Sequence, residues 1–221
     1  MRTLLISLCL ALGTFQLPAH AGSGVVERFL DSAKPPLVSY RARRTLEASA
    51  LGGRVAASLV ADTYLDPDGA FRFEVVREEG SGIIRERVLR AALAAEQRSR
   101  NEHEIDAAAL TPANYDFRVR DGAAPDTLHL ELLPKRRSKM LLTGRAVVMA
   151  EGADLLRVEG SPTELPSSWT RQVDIVREYQ RINGVRVATA MRSRADVRIV
   201  GESSFSMTYA YTMINGKPVG L

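Results

Sequence analysis

The stretch FSMTYAYTM, Phe205 to Met213, alternates large apolar side chains with small, mostly polar ones. In an extended chain Phe205, Met207, Tyr209, Tyr211 and Met213 share one face, and Ser206, Thr208, Ala210 and Thr212 share the other. The same period runs through MRSRADVRIV, where Met191, Ser193, Ala195, Val197 and Ile199 oppose Arg192, Arg194, Asp196 and Arg198. Earlier segments behave alike. LVSYRARRTLEAS (37–49) and RVAASLVADTYLD (54–66) flank Gly52-Gly53, DPDG (66–69) supplies a turn, and AFRFEVVREE follows with Phe71, Phe73 and Val75 on one face.

From Asn114 onward the pattern predicts strands in quick succession, with two-residue turns at Asn183-Gly184 and Asn215-Gly216. Connections this short favour antiparallel neighbours in chain order. The last strands are long: at about 3.3 Å per residue, eleven residues span roughly 36 Å, which suits a curved sheet. One face is wet throughout, as expected of an antiparallel sheet covered on one side only.

Helical spacing is scarce. Val26, Phe29 and Leu30 form a short stripe behind Ser23 as N-cap, stopped by Pro35-Pro36. GIIRERVLRAALAAEQR (82–98) carries Ile84, Val88, Ala91, Ala92 and Ala95 at helical spacing. A shorter helix is expected after Asn101 as N-cap, with Glu104 three residues on, ending before Pro112. The fold class expected is α+β and mainly antiparallel β: a strongly curved, unclosed half-barrel covered on its concave side by a few helices. About nine strands against so little helix leave the concave face incompletely covered. An apolar concavity of that kind suits a lipid-like ligand, and methionine gives it an adaptable lining.

The start of the chain sets the expected compartment. Residues 1–21 combine Arg2, an apolar run from Leu4 to Leu12, and Ala19-His20-Ala21, the pattern of a cleaved secretory leader. The run is shorter than the roughly 20 residues a bilayer span needs. A single domain over 22–221 is expected, in the periplasm. Cys9, the chain's one cysteine, lies inside the leader, so no disulfide, thiolate nucleophile or cysteine metal ligand is expected beyond it. Leu8 before it does not fit a lipid-attachment site. Export points away from nucleic acid, and the slight basic excess of the remainder fits a transient contact with anionic headgroups.

Candidate chemistry is thin. His103 sits in NEHEID among carboxylates, but Ala107 stands where a zinc-protease helix needs its second histidine. His129, between Leu128 and Leu130, is expected to face solvent. No nucleophile elbow, phosphate loop or dinucleotide fingerprint is present, and neither a metal nor a cofactor is expected. The basic run Lys135, Arg136, Arg137 and Lys139 reads as a solvated turn or a headgroup contact. Trp169, ending the loop SPTELPSSW, reads as a core anchor or as the mouth of a pocket.

The phrases NYDFRV (114–119), LELLPKRRSKMLLTGRAVV (130–148), LLRVEGSP (155–162) and the long hairpin segment 167–211 carry a resemblance. So does the order of elements: helix, strands, interrupting helices, then long hairpins. Together they resemble an uncharacterised bacterial branch of the outer-membrane lipoprotein-sorting and carrier superfamily. The resemblance spans residues 23–213 and rests on structural motifs. It implies an unclosed β-barrel whose helices act as a lid over a hydrophobic cavity for acyl chains, with an early-strand arginine holding the lid closed. RARR offers Arg41, Arg43 and Arg44 for that role without choosing among them.

Pattern and resemblance together give a monomeric carrier without covalent catalysis. Tyr40, Phe71, Phe73, Met191, Phe205, Met207, Tyr209 and Tyr211 would line its cavity, and Ile84, Val88 and Ala92 would face it from the helix. The ligand would be a lipid or an acylated protein. A second reading is an envelope sensor that recognises another protein through its curved sheet. A third is a hydrolase whose site is assembled only by folding, with His103 as its candidate residue.

Overall fold

The computed structural model describes residues 20–101, 104–198 and 201–220. Most of the expected leader, residues 1–19, lies outside that range, as does His103. The chain forms helix α1 (His20–Asp31), strands β1 (Tyr40–Ala50), β2 (Val55–Leu65) and β3 (Phe71–Gly80), then a helical segment over 82–101. Strands β4 (Tyr115–Asp121), β5 (Thr127–Pro134), β6 (Leu142–Met149) and β7 (Leu155–Pro162) follow. The long strands β8 (Thr170–Ile182), β9 (Val185–Val197) and β10 (Gly201–Ile214), with the short β11 (Lys217–Pro218), complete an 11-stranded antiparallel sheet.

The sheet runs β3-β2-β1-β10-β9-β8-β7-β6-β5-β4, with β11 beside β10. It is a curved, unclosed barrel. Neighbours follow chain order except at one seam, where β1 pairs with β10. That seam puts β3 at one edge and β4 at the other. The chain between them, 81–114, must therefore travel from edge to edge, and it does so with its helical residues against the concave face. The turns at Asn183-Gly184 (φ 51° and 79°) and Asn215-Gly216 (φ 48° and 75°) have the paired positive φ of the tight hairpin turns those dipeptides favour.

Two large apolar clusters fill most of the concave side, and a small third one gathers Val185, Val187 and Ile214. The first joins β1, β2, β3 and β10 to the 82–101 helix through Leu46, Leu59, Phe71, Leu89, Leu93 and Met207. The second joins β4–β7 to α1 through Phe29, Tyr115, Leu130, Leu132, Val148 and Leu155. Tyr115 accepts a hydrogen bond from the Leu142 amide at 3.0 Å, fixing edge strand β4 to the interior.

Several expectations are corrected. Ser23 lies inside α1, whose first turn begins at His20, rather than capping it. Asn101 ends the 82–101 helix instead of opening a new one, and a short 3-10 helix (Glu104–Ala108) stands where the second helix was expected. Val88 does not face the sheet. The helix comprises α2 (Gly82–Ile84), a π-helical stretch (Arg85–Arg90) and α3 (Ala91–Asn101). The wider turn advances the inward position by five residues, so Leu89 follows Ile84 into the core and Val88 is left 38% exposed. Ala91 and Ala95 are exposed as well.

Met213 also leaves the expected face. Arg41 pairs with Met213 but Ala42 pairs with Tyr211, so Thr212 is an extra residue in β10. Such a bulge shifts the alternation by one. Ile214 is therefore fully buried opposite Tyr40, while Met213 stands with Arg41 on the outer side.

Candidate functional site

The site is built around Arg44. The alternation of β1 buries Tyr40, Ala42, Arg44, Leu46 and Ala48 and exposes Arg41, Arg43, Thr45 and Glu47. Of the three early arginines, Arg43 pairs with Asp62 on the outer surface, and Arg44 alone points inward, 1% exposed. Its guanidinium donates from Nη1 to Glu96 Oε2 at 2.6 Å and from Nη2 to Glu96 Oε1 at 3.1 Å. It also donates to the Tyr40 hydroxyl and lies 3.7 Å from the Met207 sulfur. Three rings surround it, with centroids 4.6 Å (Tyr209), 5.0 Å (Phe71) and 5.7 Å (Tyr40) from the guanidinium carbon. Cations are attracted to aromatic faces at such distances.

Glu96 belongs to α3, so this pair ties the cover to the centre of the sheet. Arg100, one turn on, lies 3.3 Å from the same carboxylate. Burial disfavours the Glu96 carboxylate, but Arg44 and then Arg100 outweigh it and hold its pKa below the usual range. Burial likewise works against the Arg44 charge, and Glu96 more than offsets it. Desolvation pushes the Tyr209 hydroxyl up to about 12 and raises Tyr40 and Tyr211 too, so all three stay neutral. At the β3 edge the π-helical stretch is held separately, with Arg85 and Arg90 each 2.9 Å from Glu78.

Beside this latch lies a cavity of about 360 Å³ between α3, the 3-10 helix and strands β8–β10. Met140, Met191, Phe205, Met207 and Tyr209 give it an apolar wall, and Ala92 faces it from the helix. Glu96, Arg100 and Arg177 bring charge to its rim. Outer-face grooves are larger, among them one of about 500 Å³ lined by Arg120, His129, Glu131, Arg145 and Glu159. That groove is open and charged, and its arginines are already near carboxylates, Arg120 with Glu131 and Arg145 with Glu159. The smaller cavity is the one covered by a helix.

The sequence-derived residues fall into two groups. Met191, Phe205, Met207, Tyr209 and Ala92 line the cavity. Tyr40, Phe71, Phe73, Tyr211 and Ile84 pack in the adjoining cluster. There Tyr209 stacks on Tyr211 at 5.8 Å and Tyr211 meets Tyr40 edge-on at 5.6 Å. Trp169 is neither a core anchor nor part of the cavity wall; it is 55% exposed in the loop before β8, where a short turn onto Thr170 leaves its ring outside. In the basic run, Lys135 donates to the Pro112 carbonyl at 2.7 Å, and Arg136 to Asn114 Oδ1 at 2.6 Å and the Ala107 carbonyl at 2.8 Å. Those two fasten the 104–114 segment, while Arg137 and Lys139 are exposed.

Glu96, Arg177 and the choice of Arg44 do not follow from the hydrophobic pattern. The signal for Arg44 is present: it stands in register with Tyr40, Ala42 and Leu46 on the apolar face of β1. Glu96 carries no such mark, since it sits among charged residues on a polar stretch of helix.

No family model matches the chain, and no curated protein does. Among solved structures it is similar to the LolA superfamily protein NE2245 from Nitrosomonas europaea (10% identity, 86% of this chain and 91% of that one, TM-score 0.43). It is also similar to a DUF1329 family protein from Desulfovibrio piger (13% identity, 87% and 91%, TM-score 0.44). A further likeness is to an outer membrane lipoprotein-sorting protein domain, so described, from Vibrio parahaemolyticus (10% identity, 89% and 94%, TM-score 0.37). All are distant, and none assigns a role to a residue of this chain.

Proposed function

We propose that the chain binds a lipid-like or acylated ligand in the cavity beneath α3 and carries it without covalent chemistry. The observation that carries this reading is a methionine- and aromatic-lined space under a helix that is latched to the sheet's centre by Arg44 and Glu96. Apolar walls reward burial of acyl surface at roughly 25 cal/mol per Å². Methionines accommodate chains of irregular shape. The groups named on the wall supply dispersion contact and charge rather than a nucleophile with its base.

The leader pattern of residues 1–21 extends the reading to an exported, periplasmic protein of one domain, working as a monomer that exchanges its cargo with another envelope component. The resemblance to lipoprotein-sorting and carrier proteins is in keeping with this. Titration with a fluorescent fatty acid tests it. Saturable binding that Met207→Asp abolishes supports the reading; absence of binding by the folded wild-type protein overturns it.

A further inference from the structure

Arg177 is a cation in the cavity wall whose charge no described residue answers. It lies opposite Met191 in β9 and opposite Val158 in β7. Residues directly opposite in antiparallel strands share a face, so Arg177 projects into the concave side with them. Its neighbours on β8 differ: Glu178 pairs with Arg192 at 3.1 Å on the outer face. Among the described residues, Arg177 makes no ion pair and no side-chain hydrogen bond. The carboxylate lining the cavity, Glu96, is already shared by Arg44 and Arg100. Met191 packs against the first cluster and Val158 belongs to the second, so Arg177 stands between the two.

Because Arg177 is exposed where the cavity meets solvent, water solvates its guanidinium until an anionic group takes that water's place. Its fork matches a carboxylate in a bidentate contact. The cavity, about 360 Å³, is at the small end of the roughly 300–1,000 Å³ range for small-molecule sites, which favours one acyl chain over several.

Building on the carrier reading, we propose that the cavity takes a single-chain anionic amphiphile, with Arg177 binding its carboxylate while the chain lies against Met191, Phe205 and Met207. Arg177 is exposed and, among the described residues, unpaired, so its replacement leaves the fold intact. Hexadecanoate and hexadecanol share a chain and differ at the head, so the pair separates headgroup recognition from apolar burial. Binding of both is measured by competition against a fluorescent fatty acid, on the wild-type protein, on Arg177→Gln, and on Arg192→Gln as an outer-face control.

The expected result is about tenfold tighter binding of hexadecanoate than hexadecanol by wild type and Arg192→Gln, the size of a partly solvated charge-assisted contact. Arg177→Gln is expected to lose that preference and to keep its hexadecanol affinity within about twofold. Equal binding of the two by wild type, or a preference that survives in Arg177→Gln, overturns the headgroup assignment and leaves the carrier reading standing. Failure of the wild-type protein to bind either compound overturns both.

Discussion

Arg44 at the middle of β1 and Glu96 on α3 meet in a two-pronged ion pair, with contacts of 2.6 and 3.1 Å, that joins the sheet's buried face to the helix covering it. The partners are unequally exposed: the Arg44 side chain is 1% accessible and that of Glu96 26%. The helix end thus meets water while the strand end does not. Such a pair can break from the Glu96 side without unfolding the sheet, because Tyr40, Phe71 and Tyr209 continue to surround the guanidinium.

Removing one partner of a buried pair leaves the other uncompensated, at a cost of about 3–5 kcal/mol. Arg44→Ala is expected near the lower end, since Arg100 and water still reach Glu96. The double replacement Arg44→Met with Glu96→Leu should recover most of that loss. Urea unfolding of the wild-type protein and the two variants checks both statements.

Acid should loosen the cover. The Glu96 carboxyl titrates lower in the fold than in the unfolded chain, where a glutamate sits near 4.3. Its contribution is therefore fully present above about pH 5 and lost as pH falls through the lowered folded value. Asp154, held down by Arg181 and Arg186 despite its burial, shifts the same way, so overall acid stability is not specific to Glu96. Amide protection over 91–101, taken relative to the intrinsic exchange rate at each pH, isolates the effect: Glu96→Gln should be less protected at neutral pH and lose less protection on acidification.

The π-helical stretch gives adjacent residues opposite fates. Leu89→Ala removes a fully buried side chain and should cost about 2–5 kcal/mol. Val88→Ala should stay within about 0.5 kcal/mol, as surface changes do. An unbroken α-helical repeat from Ile84 would reverse that order, so thermal denaturation of the two variants decides the register.

The bulge in β10 makes a parallel prediction for two methionines. Met207→Lys places an ammonium against Arg44 and the cavity, and should abolish fatty-acid binding and lower stability. Met213→Lys puts the same group on the outer side and should leave both nearly unchanged. Fluorescent fatty-acid titration with circular dichroism distinguishes them.

Helix α1 is the second cover, and its C-terminal end is tied down by cations. Arg181 donates to the Ser32 carbonyl at 2.6 Å and Arg186 to the Phe29 carbonyl at 3.1 Å, and Asp154 holds Arg181 at 2.8 Å. Asp154→Asn should speed amide exchange over 24–33 while leaving 91–101 unaffected.

Much of the half-barrel was legible because its signals are local. Two-residue periodicity marked the strands, and Asn-Gly dipeptides marked the tight turns. The β1–β10 seam was not legible, since no local feature says that the first hairpin joins the last. The two face errors share a cause: a π turn after Ile84 and a bulge at Thr212 each insert one residue, and a fixed period cannot anticipate that. Among the cavity residues, Met191, Phe205, Met207 and Tyr209 followed from alternation alone. Arg44 was legible in β1 by its register, but a charge on an apolar face interrupts the hydrophobic stripe instead of extending it. Glu96 and Arg177 become notable only once folding has brought a helix and a strand together.

Whether the space beneath α3 holds a lipid-like ligand is read out by native mass spectrometry of protein gently purified from its native host. The expected spectrum carries an adduct of single-chain amphiphile mass that organic extraction removes and Met207→Lys lacks. A ligand-free spectrum, together with no uptake of added fatty acid, would contradict the carrier reading.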